Sequence, residues 1–186
     1  MMIKPQMTLA KGGDSDAQFN LALRYQDGKD LPQDYAKARY WYRRAAHQGH
    51  APAQYSLGLL LGKGLGDRKD ERAAAAWYRM AAERGHQAAQ FNLAAMYEAG
   101  EGLPRNLVLA YVWFALAGAG GANGPYRMSF KVGLPAFQSS LAVSKGNRTA
   151  SQGNRNRLAL LLSIEERELA ELLAGEYYVK YVFPFR

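Results

Sequence analysis

The sequence predicts an all-α fold, a right-handed α-solenoid of helix-turn-helix repeats followed by a C-terminal pair of capping helices. The first observation is a spacing of 36 residues that recurs three times without a gap over residues 14–121. All three tryptophans of the 186-residue chain, Trp41, Trp77 and Trp113, obey this spacing, which excludes chance. Apolar residues within each repeat also follow helical spacing. Helices this short are stable only when they stack against neighbours, as they do in a solenoid.

Each repeat contains two predicted helices joined by a short turn. In the first repeat, one helix runs from Ala17 to Asp27 and is broken by Gly28. The second begins near Asp34, a suitable N-cap, and ends at Gly49, a residue type preferred in the left-handed position after a helix. Small residues are expected to let neighbouring helices approach closely at Ala22, Gly58 and Ala94. Four further sets recur in all three repeats: Ala17, Ala53 and Ala89; Gln18, Gln54 and Gln90; Leu21, Leu57 and Leu93; Ala45, Ala81 and Ala117.

These residues resemble the Sel-1-like repeat, a relative of the tetratricopeptide repeat. The family pattern A-x-Q-x-x-L-G-x-x-Y-x-x-G-x-G-V-x-x-D-x-x-K-A-x-x-W-Y-x-K-A-A-x-x-G is similar to AQFNLALRYQDG at 17–28 and DYAKARYWYRRAAHQG at 34–49, apart from the Ala directly before the Gln. The second repeat departs most, with Leu61 for the Tyr and Asp67 for the Val. The resemblance implies an α-solenoid, and it implies no particular activity because such repeats serve many processes.

The period stops after Gly121, and residues 122–153 are predicted to form a basic insertion. Residues 122–162 carry six basic side chains and no acidic one, which is most of the chain's net charge of +8. Apolar residues alternate strictly over 126–134, which predicts a strand or a packed extended segment. The Gly-, Ser-, Asn- and Arg-rich stretch 144–157 predicts a mobile loop.

Capping helices are expected at residues 154–176. The first runs from Asn154 to Leu162. Ser163 and Glu166 form a capping-box pattern that opens the second, which ends near Gly175. This pair resembles the helices that close Sel-1-like arrays.

The two ends of the chain are assigned to a lead-in, residues 1–13, and an aromatic tail, residues 177–186. The tail is predicted to pack on the capping helices and to cover the open end of the solenoid. Two alternatives are that it pairs with residues 126–134 in a small sheet, or that it offers an aromatic patch to a partner.

Composition excludes several function classes. Because the chain has no cysteine, disulfide scaffolds, thiolate zinc sites, iron–sulfur clusters and cysteine nucleophiles are ruled out. No apolar run approaches the roughly 20 residues of a membrane-spanning helix. The N-terminus lacks the apolar core of a secretory signal, so a cytoplasmic location is expected, although a signal already removed would leave the same sequence.

No catalytic residue, cofactor site or metal site is predicted. The metal candidates are His47, His50 and His86, and they lack a carboxylate or cysteine partner at suitable spacing. No local signature of a nucleophile with its base appears, and no phosphate-binding loop is present. The sequence therefore predicts a non-enzymatic binding protein, a scaffold or adaptor.

The expected partner is a protein or peptide held in the concave groove of the repeats. If tetratricopeptide geometry applies, as the resemblance implies, the first helix of each repeat lines this groove. An alternative is that these aromatic and asparagine positions only pack between helices. The predicted partner-binding residues are Phe19, Asn20, Leu23, Tyr55, Ser56, Leu59, Phe91 and Asn92.

A second function, from a different class, is binding of a polyanion, either nucleic acid or an anionic membrane surface, through residues 122–162. Its candidate residues are Lys145, Arg148, Arg155 and Arg157. The segment has few interleaved aromatic residues, which makes this partner class less favoured than a protein. No oligomeric state is predicted.

Overall fold

The structure is a computed structural model that describes residues 3–28, 30–119 and 145–182. Within these ranges the chain is helical and contains no strand, so the prediction of an all-α repeat fold is confirmed. No helix in the described part is long and apolar enough to span a membrane. The helices are α1 (Ile3–Lys11), α2 (Ser15–Asp27), α3 (Tyr35–His47), α4 (Ala51–Lys63), α5 (Glu71–Glu83), α6 (Gln87–Ala99), α7 (Leu107–Ala119), α8 (Lys145–Leu161) and α9 (Ile164–Tyr177), followed by a π-helical turn (Tyr178–Val182).

The chain divides into two compact units, Met1–Ala81 and Ala82–Arg186. In the first unit, α2 and α3 pack together as the two helices of the first repeat. The Asp34 side chain caps α3 by accepting a hydrogen bond from the Lys37 N–H at 2.9 Å, as predicted. A close helix approach occurs at Gly58, where an added Cβ would lie 2.7 Å from the ring of Tyr78.

The periodic glutamines tie successive helices together. Gln18 is fully buried, and its Nε2 donates to the carbonyl of Ala10 at 3.0 Å. Gln54 does the same to Ala46 at 3.0 Å. In the second unit, Gln90 donates to Ala82 at 3.1 Å. Each bond spans eight residues and joins the first helix of a repeat to the helix before it.

The lead-in of residues 1–13 contains a helix that sequence analysis did not assign. Ala10 of α1 is fully buried and lies 36 residues before Ala46. Gly13 lies 36 residues before Gly49, and both have a positive φ, 105° and 83°. The helix α1 therefore takes the place that the second helix of a preceding repeat would occupy, and the same Gln–carbonyl bond holds it.

In the second unit, α7 forms the centre of the packing. The helices α6, α8 and α9 all contact it, and every residue from Ala110 to Ala119 is buried. Three neighbours surround α7, which explains why it is apolar on all sides instead of amphipathic.

The predicted mobile loop at 144–157 is wrong from Lys145 onward, because α8 begins there, nine residues before the expected start at Asn154. The sequence is rich in poor helix formers, but tertiary packing overrides this preference. Leu158 and Ser151 of α8 are fully buried, and an added Cβ on Gly118 of α7 would lie 3.7 Å from the Ser151 Cβ. The predicted extended segment 126–134 lies outside the described residues.

The predicted capping box at the start of α9 is present. The Ser163 Oγ accepts a hydrogen bond from the Glu166 N–H at 3.1 Å, and the Ser163 N–H donates to the Glu166 carboxylate at 2.8 Å. The helix continues past its expected end at Gly175, because that residue is buried inside the packed helix and does not form a cap.

The aromatic tail continues as helix through Val182, which excludes strand pairing for that part. The ring of Trp113 in α7 lies 5.6 Å from the Tyr177 ring and 6.2 Å from the Tyr181 ring. The beginning of the tail thus covers α7, in agreement with the packing interpretation. Residues 183–186 lie outside the described part.

Candidate functional site

The predicted groove aromatics take part in packing within their own repeats. In the first unit, the Phe19 ring lies 5.7 Å from the Tyr42 ring, and the Tyr55 ring lies 5.8 Å from the Tyr78 ring. Both Phe19 and Tyr55 are half-buried. Each ring therefore contacts the second helix of its repeat and also keeps part of its surface exposed to solvent.

The third repeat, in the second unit, has the same arrangement. The Phe91 ring lies 5.2 Å from the Phe114 ring, in an edge-to-face geometry. Phe91 is also half-buried. Packing and partner binding, the two alternatives for this position, are thus compatible in a single side chain.

The asparagines next to these aromatic residues have unused hydrogen-bonding groups. Asn20 is exposed and Asn92 is half-buried. Within the described residues, neither carboxamide makes a hydrogen bond. A free carboxamide offers one acceptor and two donor hydrogens, which match the groups of a peptide backbone.

Ser56, the equivalent residue of the second repeat, is already engaged by the Tyr42 hydroxyl. That hydroxyl also donates to the Gln26 Oε1 at 3.0 Å. Burial raises the pKa of Tyr42 above its ordinary value, and the bond with Ser56 opposes the rise. The phenol is therefore a protonated donor at neutral pH. Because Ser56 already interacts with this phenol, it contributes less to a binding surface than Asn20.

The two leucines predicted for the groove, Leu23 in α2 and Leu59 in α4, are half-buried. They follow Phe19 and Tyr55 by one helical turn, so each helix presents a ring and a leucine along one side. Each pair offers apolar area that a partner side chain would remove from water.

Two of the three histidines are helix N-caps, a role that sequence analysis did not assign. The Nδ1 of His50 accepts a hydrogen bond from the Ala53 N–H at 3.1 Å, and the Nδ1 of His86 accepts one from the Ala89 N–H at 3.3 Å. Burial lowers the pKa of His86. His50 and His86 lie 36 residues apart, and each directly follows the glycine that ends the preceding helix. This repetition is the signal from which the N-cap role could have been predicted.

His50 also borders the candidate binding surface. Its ring lies 4.8 Å from the Phe19 ring, and its Nε2 lies 3.0 Å from the Asp16 Oδ1. Because Nδ1 accepts a hydrogen bond, the ring proton resides on Nε2 and faces the carboxylate. Within the described part of the chain, no group of three or more metal-ligating side chains comes together.

One of the polyanion candidates faces a carboxylate. The Arg157 guanidinium in α8 lies 2.5 Å from a Glu98 carboxylate oxygen in α6. Arg155 is also engaged in an interaction within the chain. Lys145 and Arg148 belong to the first turn of α8. The four candidates thus share one helix, and Arg157 is partly neutralised there.

Comparison with known proteins identifies the repeats. A family model described as Sel1 repeat matches residues 15–50, 51–86 and 87–121. Among solved structures, the chain is similar to a Sel1 repeat protein from Oxalobacter formigenes, with 39% identity and a TM-score of 0.58 over 62% of this chain and 86% of that one. A comparison with curated proteins finds no match.

The chain is also similar to a protective antigen, present in uropathogenic Escherichia coli strains, that displays an SLR fold. The identity is 26% and the TM-score 0.64, over 98% of this chain and 42% of the antigen. This chain therefore spans less than half the length of that antigen, and the likeness extends beyond the three repeats to the C-terminal helices.

Proposed function

The chain belongs to the Sel1 repeat family, and we propose that it is a non-enzymatic adaptor that holds a peptide or protein segment against the first helices of its repeats. Proteins with this fold are generally scaffolds for protein–protein interaction. The observation that carries the proposal is the pairing of a half-buried ring with a free carboxamide, at Phe19 and Asn20 in the first unit and at Phe91 and Asn92 in the second.

Each ring and carboxamide would contribute differently to binding. The exposed part of the Phe19 or Phe91 ring loses water when an apolar side chain of the partner covers it. The carboxamide of Asn20 or Asn92 then hydrogen-bonds the partner backbone, which fixes its direction along the helix. Because the rings are already held by packing, little conformational entropy is lost on binding.

The asparagines provide a sharper test than the aromatic residues, because replacing a packed ring also disturbs the repeat. A phage-displayed peptide library is selected on the full chain, and the selected peptides are measured against Asn20→Ala, Asn92→Ala and the double variant. Loss of one or two hydrogen bonds is expected to raise the Kd of the peptide about tenfold for each asparagine that the peptide contacts.

The matched control is Arg43→Ala, an exposed change on the second helix of the first repeat. It should leave peptide affinity unchanged, and circular dichroism should show that all variants retain their helical content. We call the first helices of the repeats, with Phe19, Asn20, Phe91 and Asn92, the first-helix surface. Equal affinity of the selected peptides for the double variant and the parent chain would reject this surface as the binding site.

Polyanion binding through residues 122–162 has less support. The ion pair between Arg157 and Glu98 would compete with any phosphate for that guanidinium. Polyanion binding would be favoured if the chain is retained on duplex DNA or anionic vesicles and Arg155→Ala reduces this retention. The affinity should then fall with rising salt concentration, more steeply for each additional phosphate contact.

A further inference from the structure

The helix α9 has an inverted pattern of side-chain size. Its small residues Ala170 and Ala174 are buried, whereas Leu169 and Leu172 remain 48% and 44% exposed. Helices that cover a core normally place their large apolar residues inward. About half of the surface of each of these two leucines therefore remains outside the packing of the second unit.

Five exposed residues of α9 and of the π-helical turn after it form one ridge. Positions 165, 169, 172, 176 and 179 are separated by four, three, four and three residues, which places them on one side of a helix. We call this surface the α9 stripe, and it consists of Glu165, Leu169, Leu172, Glu176 and Val179. Val179, in the π-helical turn, is 56% exposed.

The stripe is negatively charged as well as apolar. The helix α9 contains five glutamates and one arginine. Glu166 is used in the capping box, but within the described residues Glu165, Glu168 and Glu176 make no ion pair. Lys180, whose ammonium lies over the Tyr181 ring, is the basic residue at the far end. The unpaired carboxylates beside these leucines repel phosphate groups and attract lysine or arginine.

We propose that the α9 stripe docks a basic amphipathic helix of a partner protein, a second interaction surface distinct from the first-helix surface. Apolar residues of such a helix, spaced by three and four, would cover Leu169, Leu172 and Val179. Its flanking lysines and arginines would face Glu165 and Glu176. The stripe extends about 21 Å, which corresponds to about 14 residues of a partner helix.

The test uses a fluorescein-labelled peptide of about 18 residues, long enough to cover the stripe, with leucines on one helical face and lysines beside them. Fluorescence anisotropy with the full chain is expected to show saturable binding that weakens as salt is added. Replacing both leucines, Leu169→Ala with Leu172→Ala, should raise Kd roughly 30-fold, as for two anchors of an interface. Reversing charge with Glu165→Lys and Glu176→Lys should raise Kd by a similar factor.

Two control variants make the same kinds of substitution elsewhere on the surface. Leu9→Ala removes another exposed leucine, and Glu101→Lys reverses another exposed glutamate. Neither should change Kd. Circular dichroism checks that each variant remains folded and helical at the temperature of the binding measurement.

Three results would overturn the proposal. The first is equal binding of a scrambled peptide of the same composition, which would indicate charge attraction alone. The second is loss of binding in the Asn20→Ala, Asn92→Ala double variant but not in the leucine variant, which would place the peptide on the first-helix surface. The third is self-association, measured by sedimentation velocity, that disappears in the leucine variant; a second copy would then occupy the stripe.

Discussion

At the residue scale, one position in every repeat caps the first helix. Asp14, His50 and His86 lie 36 residues apart, and each side chain accepts a hydrogen bond from a backbone N–H three residues later. A carboxylate and an imidazole nitrogen perform the same task because both present a lone pair to the open end of the helix. At His86 this task is sensitive to pH, since a protonated Nδ1 cannot accept a hydrogen bond.

His86 is expected to stabilise the fold less as the pH falls. Burial lowers its pKa in the folded chain, so the unfolded chain takes up the proton at a higher pH. The contribution of the neutral cap is complete above about 6.5, the ordinary pKa of histidine, and declines below it. The slope for one proton is at most about 1.4 kcal/mol per pH unit.

The test compares the parent chain with His86→Asn, which keeps a good cap but does not titrate. Urea unfolding at about pH 7.5 and about pH 5 should show a smaller loss of unfolding free energy in the variant, because the asparagine that replaces His86 does not titrate. An identical loss in both chains would show that this cap does not carry the effect.

Gly66 is required by close contact and by its backbone conformation. Its φ is 81°, and an added Cβ would lie 2.6 Å from the Tyr35 carbonyl carbon. Gly66→Ala is expected to lower the free energy of unfolding by more than about 2 kcal/mol. Gly153→Ala is the contrasting control, because that glycine lies within α8 and its added Cβ would meet nothing within 4 Å. It should stabilise the chain by up to about 1 kcal/mol through helix propensity.

At the scale of the element, α8 shows how packing determines structure in an unfavourable sequence. Its N-terminal half contains two glycines and several residues of low helix propensity. The helix is held by burial of Ser151 and Leu158 against its neighbours, and by the ion pair of Arg157 with Glu98. Most of the stability of this helix therefore comes from contacts that local sequence does not reveal.

Leu158 and Leu160 provide a direct test of this interpretation. Leu158 is fully buried, whereas Leu160, two residues later, is 83% exposed. Leu158→Ala is expected to cost about 2–5 kcal/mol in the free energy of unfolding, because it leaves a cavity. Leu160→Ala should change it by less than about 0.5 kcal/mol. Chemical denaturation measures both, and similar costs for the two variants would contradict the packing of α8.

At the scale of the whole molecule, the repeats were predictable and the appended segments were not. The period of 36 places every helix from α2 to α7, because each repeat uses the same residue at the same structural position. The same period extends back to Ala10 and Gly13 in α1, but two matching positions in a segment so short were too weak a signal. The helical start of α8 has no periodic counterpart.

The sequence predicts which residues form the candidate site, but not how far each side chain is exposed to solvent. Phe19, Tyr55 and Phe91 were located from repeat geometry, and only the packed structure shows that each is half-buried and contacts an aromatic residue of the second helix. Likewise, Asn20 and Ser56 are equivalent in sequence. The Tyr42 hydroxyl distinguishes them, because it lies beside Ser56.

The sequence locates the charged residues of the chain, whereas only the packed structure shows how they are paired. Sequence places most of the net charge of +8 in residues 122–162, and a carboxylate in α6 faces one of those side chains, Arg157. The helix α9 carries five glutamates and one arginine. Folding shows that they flank exposed leucines, and this combination is what suggests a partner.

By itself, the sequence determined the family, the repeat boundaries and the helical pairs, because a repeated unit must satisfy the same local caps and core positions each time. Tertiary structure decided which side chains remain available to a partner. Burial and pairing depend on residues distant in the chain, as with Trp113 beneath Tyr177 and Tyr181, or Arg157 beside Glu98. Solvent exposure is a property of the packed helices, and no local pattern in the sequence encodes it.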